Sequence, residues 1–250
     1  ENFRDPYARK EKRVIILSSK NIQLGWKKNI YDPDKGSNQC TGESFIHSGA
    51  KTDRGINKLV KQYYELMAYQ SFSNFVTRLV KNYVQRYPKD EREEKEIECI
   101  QQYFSNRYMI IDEVHNIRDD QGSETRDTIK TIEKVIKYSH NLRLVLLTAT
   151  PMYNRSTEII WILNMMLLND NRPIIDKKDV FDINGVLHDI GKGIIKDKCR
   201  GYISYLRGEN PITFPIRLYP RQLKDKQKKY VYPTYSKDKQ ISIINRLNNP

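Results

Sequence analysis

Two adjacent carboxylates, Asp112 and Glu113, follow the apolar run Met109-Ile110-Ile111, and His115 stands two residues further on. A short β-rich run that stops abruptly in acid groups reads as a buried strand delivering them at its carboxyl end, where open parallel sheets bind ligands. That is the position of a magnesium-nucleotide site. Asp112 would hold the ion through water, because magnesium prefers oxygen ligands and keeps much of its hydration shell. Glu113 would orient and deprotonate an attacking water, the positioning task that dominates phosphoryl transfer. Successive side chains diverge at a strand end, so neighbouring acids are free to take separate roles.

A second buried strand is expected at Leu142 to Leu147, running into Thr148-Ala149-Thr150-Pro151-Met152-Tyr153-Asn154, hydroxyls followed by a helix-breaking proline. Together the two strand ends resemble motifs II and III of superfamily 2 nucleic-acid-dependent ATPases. The Thr-Ala-Thr-Pro-Met-Tyr-Asn form is closest to the Swi/Snf-like branch. With Gly208-Glu209-Asn210-Pro211 the chain is similar to the Swi/Snf-like helicases of nucleocytoplasmic large DNA viruses, a group that includes the small subunit of the poxvirus-type early transcription factor.

The resemblance implies an α/β fold, a RecA-like parallel sheet flanked by helices of the P-loop NTPase kind, with ATP and Mg2+ as cofactors. It implies that His115 couples the nucleotide state to Thr148 and Thr150. The activity implied is an ATP-dependent motor on nucleic acid, DNA favoured over RNA, in viral transcription. A second transcription-factor subunit or a viral RNA polymerase would be its protein partner. An RNA helicase stays open as an alternative, because phosphate-directed contacts do not tell the sugars apart. So does a catalytically silent scaffold that kept the fold.

The elements that must position these groups follow in order. Val14-Ile15-Ile16-Leu17 reads as a strand, and Ile22 to Ile30 as an amphipathic helix after a polar turn. In the resembled family that turn, here Ser18, Ser19 and Lys20, is motif Ia and touches the nucleic-acid backbone; a plain capping turn is the other reading. Tyr64 to Tyr69 reads as a strand leading into a helix with Phe72, Phe75, Val76, Leu79, Val80 and Tyr83 at helical spacing. Around Tyr69 and Gln70 it is similar to the family's Thr-Tyr-x-x-Phe element, a second backbone-contacting loop, although Ala68 stands where a hydroxyl is common. The aromatic stripe itself reads as core.

Cys40-Thr41-Gly42-Glu43 resembles a short element of the viral group and reads chemically as a turn. Lys89 to Glu98 is the solvated face of a helix. Glu124 to Tyr138, with Thr128, Ile129, Ile132, Val135 and Ile136 on one face, reads as the crossover helix between the two motif strands. Ser156 would cap a helix bearing Ile159, Ile160, Leu163, Met166 and Leu167 on its apolar side, with Trp161 off the centre of that stripe.

The 250 residues carry 44 Lys and Arg against 31 Asp and Glu, a formal charge of +13 that suits a polyanionic partner. Cys40, Cys99 and Cys199 are too scattered for a zinc site or a disulfide framework. No apolar stretch approaches the roughly 18 to 20 residues that span a bilayer. A soluble intracellular protein is therefore expected, in the virion and host-cell cytoplasm if viral. No Gly-x-x-x-x-Gly-Lys-Ser/Thr occurs, and Gly191-Lys192-Gly193 lacks its spacing. The expectation is a piece whose phosphate loop lies upstream, incomplete at its amino end, and inactive by itself toward ATP. Residues 1–170 would form the partial ATP-binding lobe, 171–220 a connection toward a second lobe, and 221–250 a basic Lys- and Tyr-rich segment.

Overall fold

Four parallel strands carry the residues singled out above: β1 (Val14–Leu17), β2 (Tyr64–Met67), β3 (Tyr108–Ile111) and β4 (Arg143–Leu146), paired in the order β2-β1-β3-β4. The structure, a computed structural model, describes residues 12–39, 41, 44–117, 123–152 and 155–205. Helices fill the connections: α1 (Gln23–Ile30), α2 (Asp53–Tyr63), α3 (Tyr69–Val84), α4 (Arg92–Phe104), α5 (Ser123–Tyr138), α6 (Glu158–Asn169) and α7 (Asp189–Cys199). This is the α/β architecture expected, since parallel neighbours need crossovers and crossovers place helices on the sheet faces.

One face of the sheet, formed by Ile15, Leu17, Met109, Ile111 and Leu144, is buried with residues of α3, α4 and α5. The opposite face packs Ile16 with Ile30, Tyr31, Phe45 and Val60. In α5, Thr128, Ile129, Ile132, Val135 and Ile136 are all buried, as their spacing demands. Asn106 and Asn141 take left-handed backbone (φ 56° and 50°) just ahead of β3 and β4. Asparagine tolerates that conformation better than other side chains, and the Asn141 amide donates to Asn106 Oδ1 at 2.9 Å.

Three expectations are corrected. Ser156 does not cap α6: the N-cap is Thr157, without a capping side chain, and the Ser156 hydroxyl donates to Gly185 O at 2.9 Å. The strand at Tyr64 ends at Met67, because Ala68 (φ −75°, ψ 152°) already serves as the N-cap of α3, without a capping side chain. The strand before Thr148 is buried on one face only: Leu144 is buried, whereas Arg143 and Val145 are exposed. Among the described residues β4 is also the edge strand of the sheet.

Beyond α6 the chain folds back to build a second apolar cluster, in which Ile175, Val180 and Phe181 pack on Ile160, Leu163 and Leu167. Gly191 sits where α7 meets the Val180 backbone; a Cβ there would lie 2.3 Å from the Val180 carbonyl oxygen. Close packing accounts for this glycine. Among the described residues no helix is long and apolar enough to cross a membrane. Cys40, Gly42, Glu43, the loop 118–122, Tyr153, Asn154, the Gly208 to Pro211 element, and residues 214–218 and 221–250 lie outside the described residues.

Candidate active site at the carboxyl ends of the strands

The strand register explains why four separate stretches meet. Leu17 pairs with Met67 on one side and Ile111 on the other, and Ile111 pairs with Leu146. The next residues continue the ladder: Ser18 N–H donates to Met67 O (3.1 Å), Asp112 N–H to Leu17 O (2.8 Å) and Leu147 N–H to Ile111 O (2.9 Å). The Ser18 turn, the start of α3 at Tyr69, the acid pair and the Thr148 turn therefore leave one edge of one sheet side by side.

Asp112 and Glu113 diverge. Asp112 Oδ1 accepts the Glu113 main-chain N–H at 3.0 Å and Oδ2 accepts the indole Nε1–H of Trp26 at 2.7 Å. Glu113 has left-handed backbone, φ 49° and ψ 48°, a conformation that costs a non-glycine residue roughly 1 to 2 kcal/mol. Its side chain runs the other way, toward His115, with Oε2 3.2 Å from Nδ1. That oxygen is buried and has no hydrogen-bond partner, so the approach lacks hydrogen-bonding alignment. Buried acceptors left unmatched are costly, and functional sites are where they persist.

His115 Nδ1 also stands 2.8 Å from Thr148 Oγ1 and 3.4 Å from Thr150 Oγ1. Thr148 Oγ1 in turn accepts the Thr150 N–H at 3.1 Å, and Val114 N–H donates to Leu147 O at 3.0 Å. One ring nitrogen, which carries either a proton or a lone pair, is thus ringed by two hydroxyls and a carboxylate. Whether it donates or accepts there depends on the tautomer of the ring.

The residues expected to meet nucleic acid are placed unevenly. Ser19 is half-buried and Lys20 exposed, at the turn before α1. Ser18 is fully buried, its hydroxyl 3.4 Å from the Ser19 carbonyl, and offers no surface. Tyr69 turns inward: its hydroxyl donates to the Asp112 carbonyl oxygen and lies 3.5 Å from that of Glu113. Burial, with the Asp112 carboxylate next in effect, pushes this phenol up to about 12. Gln70 bridges two helices, accepting from Thr128 Oγ1 (2.6 Å) and donating to Asn74 (3.2 Å). Thr41 donates its hydroxyl to Ile30 O at 2.7 Å, which makes it a local brace. Trp161 is half-buried and donates to Glu133 at 2.9 Å.

Sequence reasoning missed Trp26. The available signal was an indole one turn into the helix after the Ser18 turn, since a buried indole N–H needs an acceptor. A cavity of about 620 Å³ opens behind His115, walled by Val114, Ile129, Trp161 and Ile175. Asp112 and Glu113 are not in its wall.

A parallel sheet flanked by helices, with paired acids and hydroxyl turns at its carboxyl edge, is the arrangement of a RecA-like α/β lobe. The chain belongs to the family described as the res subunit of type III restriction enzymes, whose model matches residues 4–153. It is similar to L377 of Acanthamoeba polyphaga mimivirus, named as an ATP-dependent RNA helicase, at 31% identity over 207 residues, 72% of this chain and 17% of that one. It is similar to 009L of Frog virus 3, named as a helicase, at 26% over 177 residues, 68% of this chain and 17% of the other. The early transcription factor 70 kDa subunit of Yaba monkey tumor virus is 25% identical over 149 residues, 58% of this chain and 22% of that subunit. Viral proteins named as helicases and a poxvirus-type early transcription factor subunit are the relatives the motifs pointed to. The chain spans about a fifth of the length of these relatives. No solved structure matches it significantly.

Proposed function

We propose that the chain is the acid-bearing part of an ATP-hydrolysing lobe in a Swi/Snf-like viral motor that moves on DNA during transcription. The observation that carries this reading is the divergence of Asp112 and Glu113: one carboxylate anchored on both oxygens, the other turned toward His115 with one buried oxygen unmatched.

The residues fit a magnesium nucleotide. Among the described residues no three metal-ligating side chains converge, and magnesium is ordinarily held by one or two carboxylates with water and the nucleotide's phosphates. Asp112 would take that place, and the ion would neutralise charge on the transferring phosphoryl group. Glu113 Oε2, lacking a donor, would accept a proton from the attacking water and orient it. His115, Thr148 and Thr150 would register the change in charge at Glu113. Ser19 and Lys20 would meet a phosphate backbone at the exposed turn before α1, where free main-chain N–H groups of a helix start add to the attraction.

DNA is favoured by the Swi/Snf-like form of the Thr148 turn and by the transcription-factor relative. The name of the mimivirus relative favours the second reading, an RNA helicase. Hydrolysis by the full-length protein with double-stranded DNA, single-stranded DNA or RNA separates them. Stimulation chiefly by double-stranded DNA is expected, and RNA-selective stimulation would replace this reading with the second.

A further inference from the structure

Asp112 is held from two directions by aromatic side chains that belong to neither of its neighbouring elements. Trp26, from α1, donates to Oδ2 at 2.7 Å, while the Glu113 N–H fixes Oδ1 at 3.0 Å. Tyr69, the first residue of α3, donates to the Asp112 carbonyl oxygen. The terminal torsion of an aspartate is broad and roughly two-fold. A carboxylate anchored through one oxygen would swing, and the indole removes that freedom while leaving a lone pair on each oxygen for water of a hydrated ion.

The indole also has a traceable connection to the surface. Ser19 O accepts the Ile22 N–H at 3.1 Å, Ile22 O accepts the Trp26 N–H at 3.1 Å, and the Trp26 side chain completes the path to Asp112. Three hydrogen bonds thus lead from the turn that exposes Lys20 to the carboxylate. A shift of that turn would carry the start of α1 and the indole with it.

We propose that Trp26 is a positioning residue for Asp112, tying the orientation of this carboxylate to the Ser19–Lys20 turn, so that a polynucleotide backbone on the turn and a magnesium nucleotide at Asp112 bind cooperatively. The inference rests on the reading of Asp112 as the metal-side acid. Coupling between two ligands is reciprocal: polynucleotide lowers the magnesium needed by the same factor by which magnesium nucleotide tightens polynucleotide binding.

The test uses the full-length protein and measures half-saturating Mg2+ for nucleotide binding with and without duplex DNA, and DNA affinity with and without a non-hydrolysable Mg·ATP analogue. In Trp26→Phe half-saturating Mg2+ rises roughly tenfold, as loss of a hydrogen bond to a charged group predicts, and both coupling ratios fall toward one. Unchanged Mg2+ demand or unchanged ratios would overturn the proposal. Should Trp26→Phe fail to fold, protein carrying 5-fluorotryptophan at position 26 alone reports the same contact: its fluorine resonance shifts on adding the Mg·ATP analogue and again on adding DNA, and a resonance indifferent to both overturns it. Glu113→Gln run in parallel keeps the two readings apart. If that variant still hydrolyses ATP the site assignment itself fails, whereas an inactive Glu113→Gln beside an unaffected Trp26→Phe rejects the role of Trp26 alone.

Discussion

His115 Nδ1 and Thr148 Oγ1 meet at 2.8 Å across 33 residues of chain, joining the turn after β3 to the turn after β4. The same nitrogen lies 3.2 Å from Glu113 Oε2, so under the proposed coupling a change of charge at Glu113 would reach Thr148 through one ring. Removing the hydroxyl in Thr148→Ala should lower polynucleotide stimulation of hydrolysis about tenfold, in the range of ordinary coupling energies. Thr148→Ser should keep most of it. Equal stimulation in all three proteins would mean that the contact transmits nothing.

Beneath the site, Arg107 is 3% exposed and fully engaged: it donates to Arg13 O at 2.9 and 2.6 Å, to Tyr103 O at 3.4 Å, and lies 3.3 Å from Glu65. Arg13 reaches the same carboxylate at 2.5 Å. Glu65→Ala leaves the buried guanidinium without its counter-charge, a loss on the order of 3 kcal/mol. Urea unfolding should show a midpoint shift of that size with the slope unchanged, and a shift within the error of the measurement would contradict the network's structural role.

Gly191 is predicted to be replaceable by nothing larger. In Gly191→Ala the new Cβ meets Val180 backbone, with the oxygen at 2.3 Å and Cα at 2.7 Å, so α7 has to move. A cost of about 2 kcal/mol follows from overpacking of this kind. Faster amide exchange along α7, with β1 and β3 unaffected, would localise it; wild-type exchange in α7 would show that the contact is absent in solution.

The Tyr69 phenol, pushed from 10.0 up to about 12 by burial and the neighbouring Asp112 carboxylate, gives the fold an alkaline limit. Between about pH 10 and about pH 12 the unfolded chain has released this proton and the folded one has kept it, so stability is full below the window and falls as pH rises through it. Tyr69→Phe should be less stable at neutral pH, having lost the bond to Asp112 O, yet should lose less on going from pH 10 to pH 12. Parallel pH profiles for the two proteins would rule out this placement of the hydroxyl.

The acid pair, His115 and the Thr148 turn were legible because each follows an apolar strand run, and a strand end fixes where its next residues go. Trp26 was not, since its bond to Asp112 spans 86 residues and depends on the register that sets β1 beside β3. The residues around Tyr69 resemble a backbone-touching loop, which suggests a nucleic-acid contact there. The side chain instead turns inward, as α3 starts immediately after Ala68 and aims its first residue at the β3 end. Arg107 gave no signal of its own: a lone arginine ahead of a strand reads as surface until the fold places Glu65 beneath it. Gly191 looked like a failed phosphate loop, and only the approach of Val180 shows what the missing side chain is for.

The most direct test of the account is ATP hydrolysis by the full-length protein against its Glu113→Gln variant, with duplex DNA present. Glu113→Gln preserves shape and removes the charge from a carboxylate with one buried, unmatched oxygen, so it should fold at least as stably as wild type and bind Mg·ATP while hydrolysing it at least a hundredfold more slowly, the general-base contribution being roughly 10² to 10⁴. Wild-type hydrolysis in a folded, nucleotide-bound Glu113→Gln would contradict the central claim.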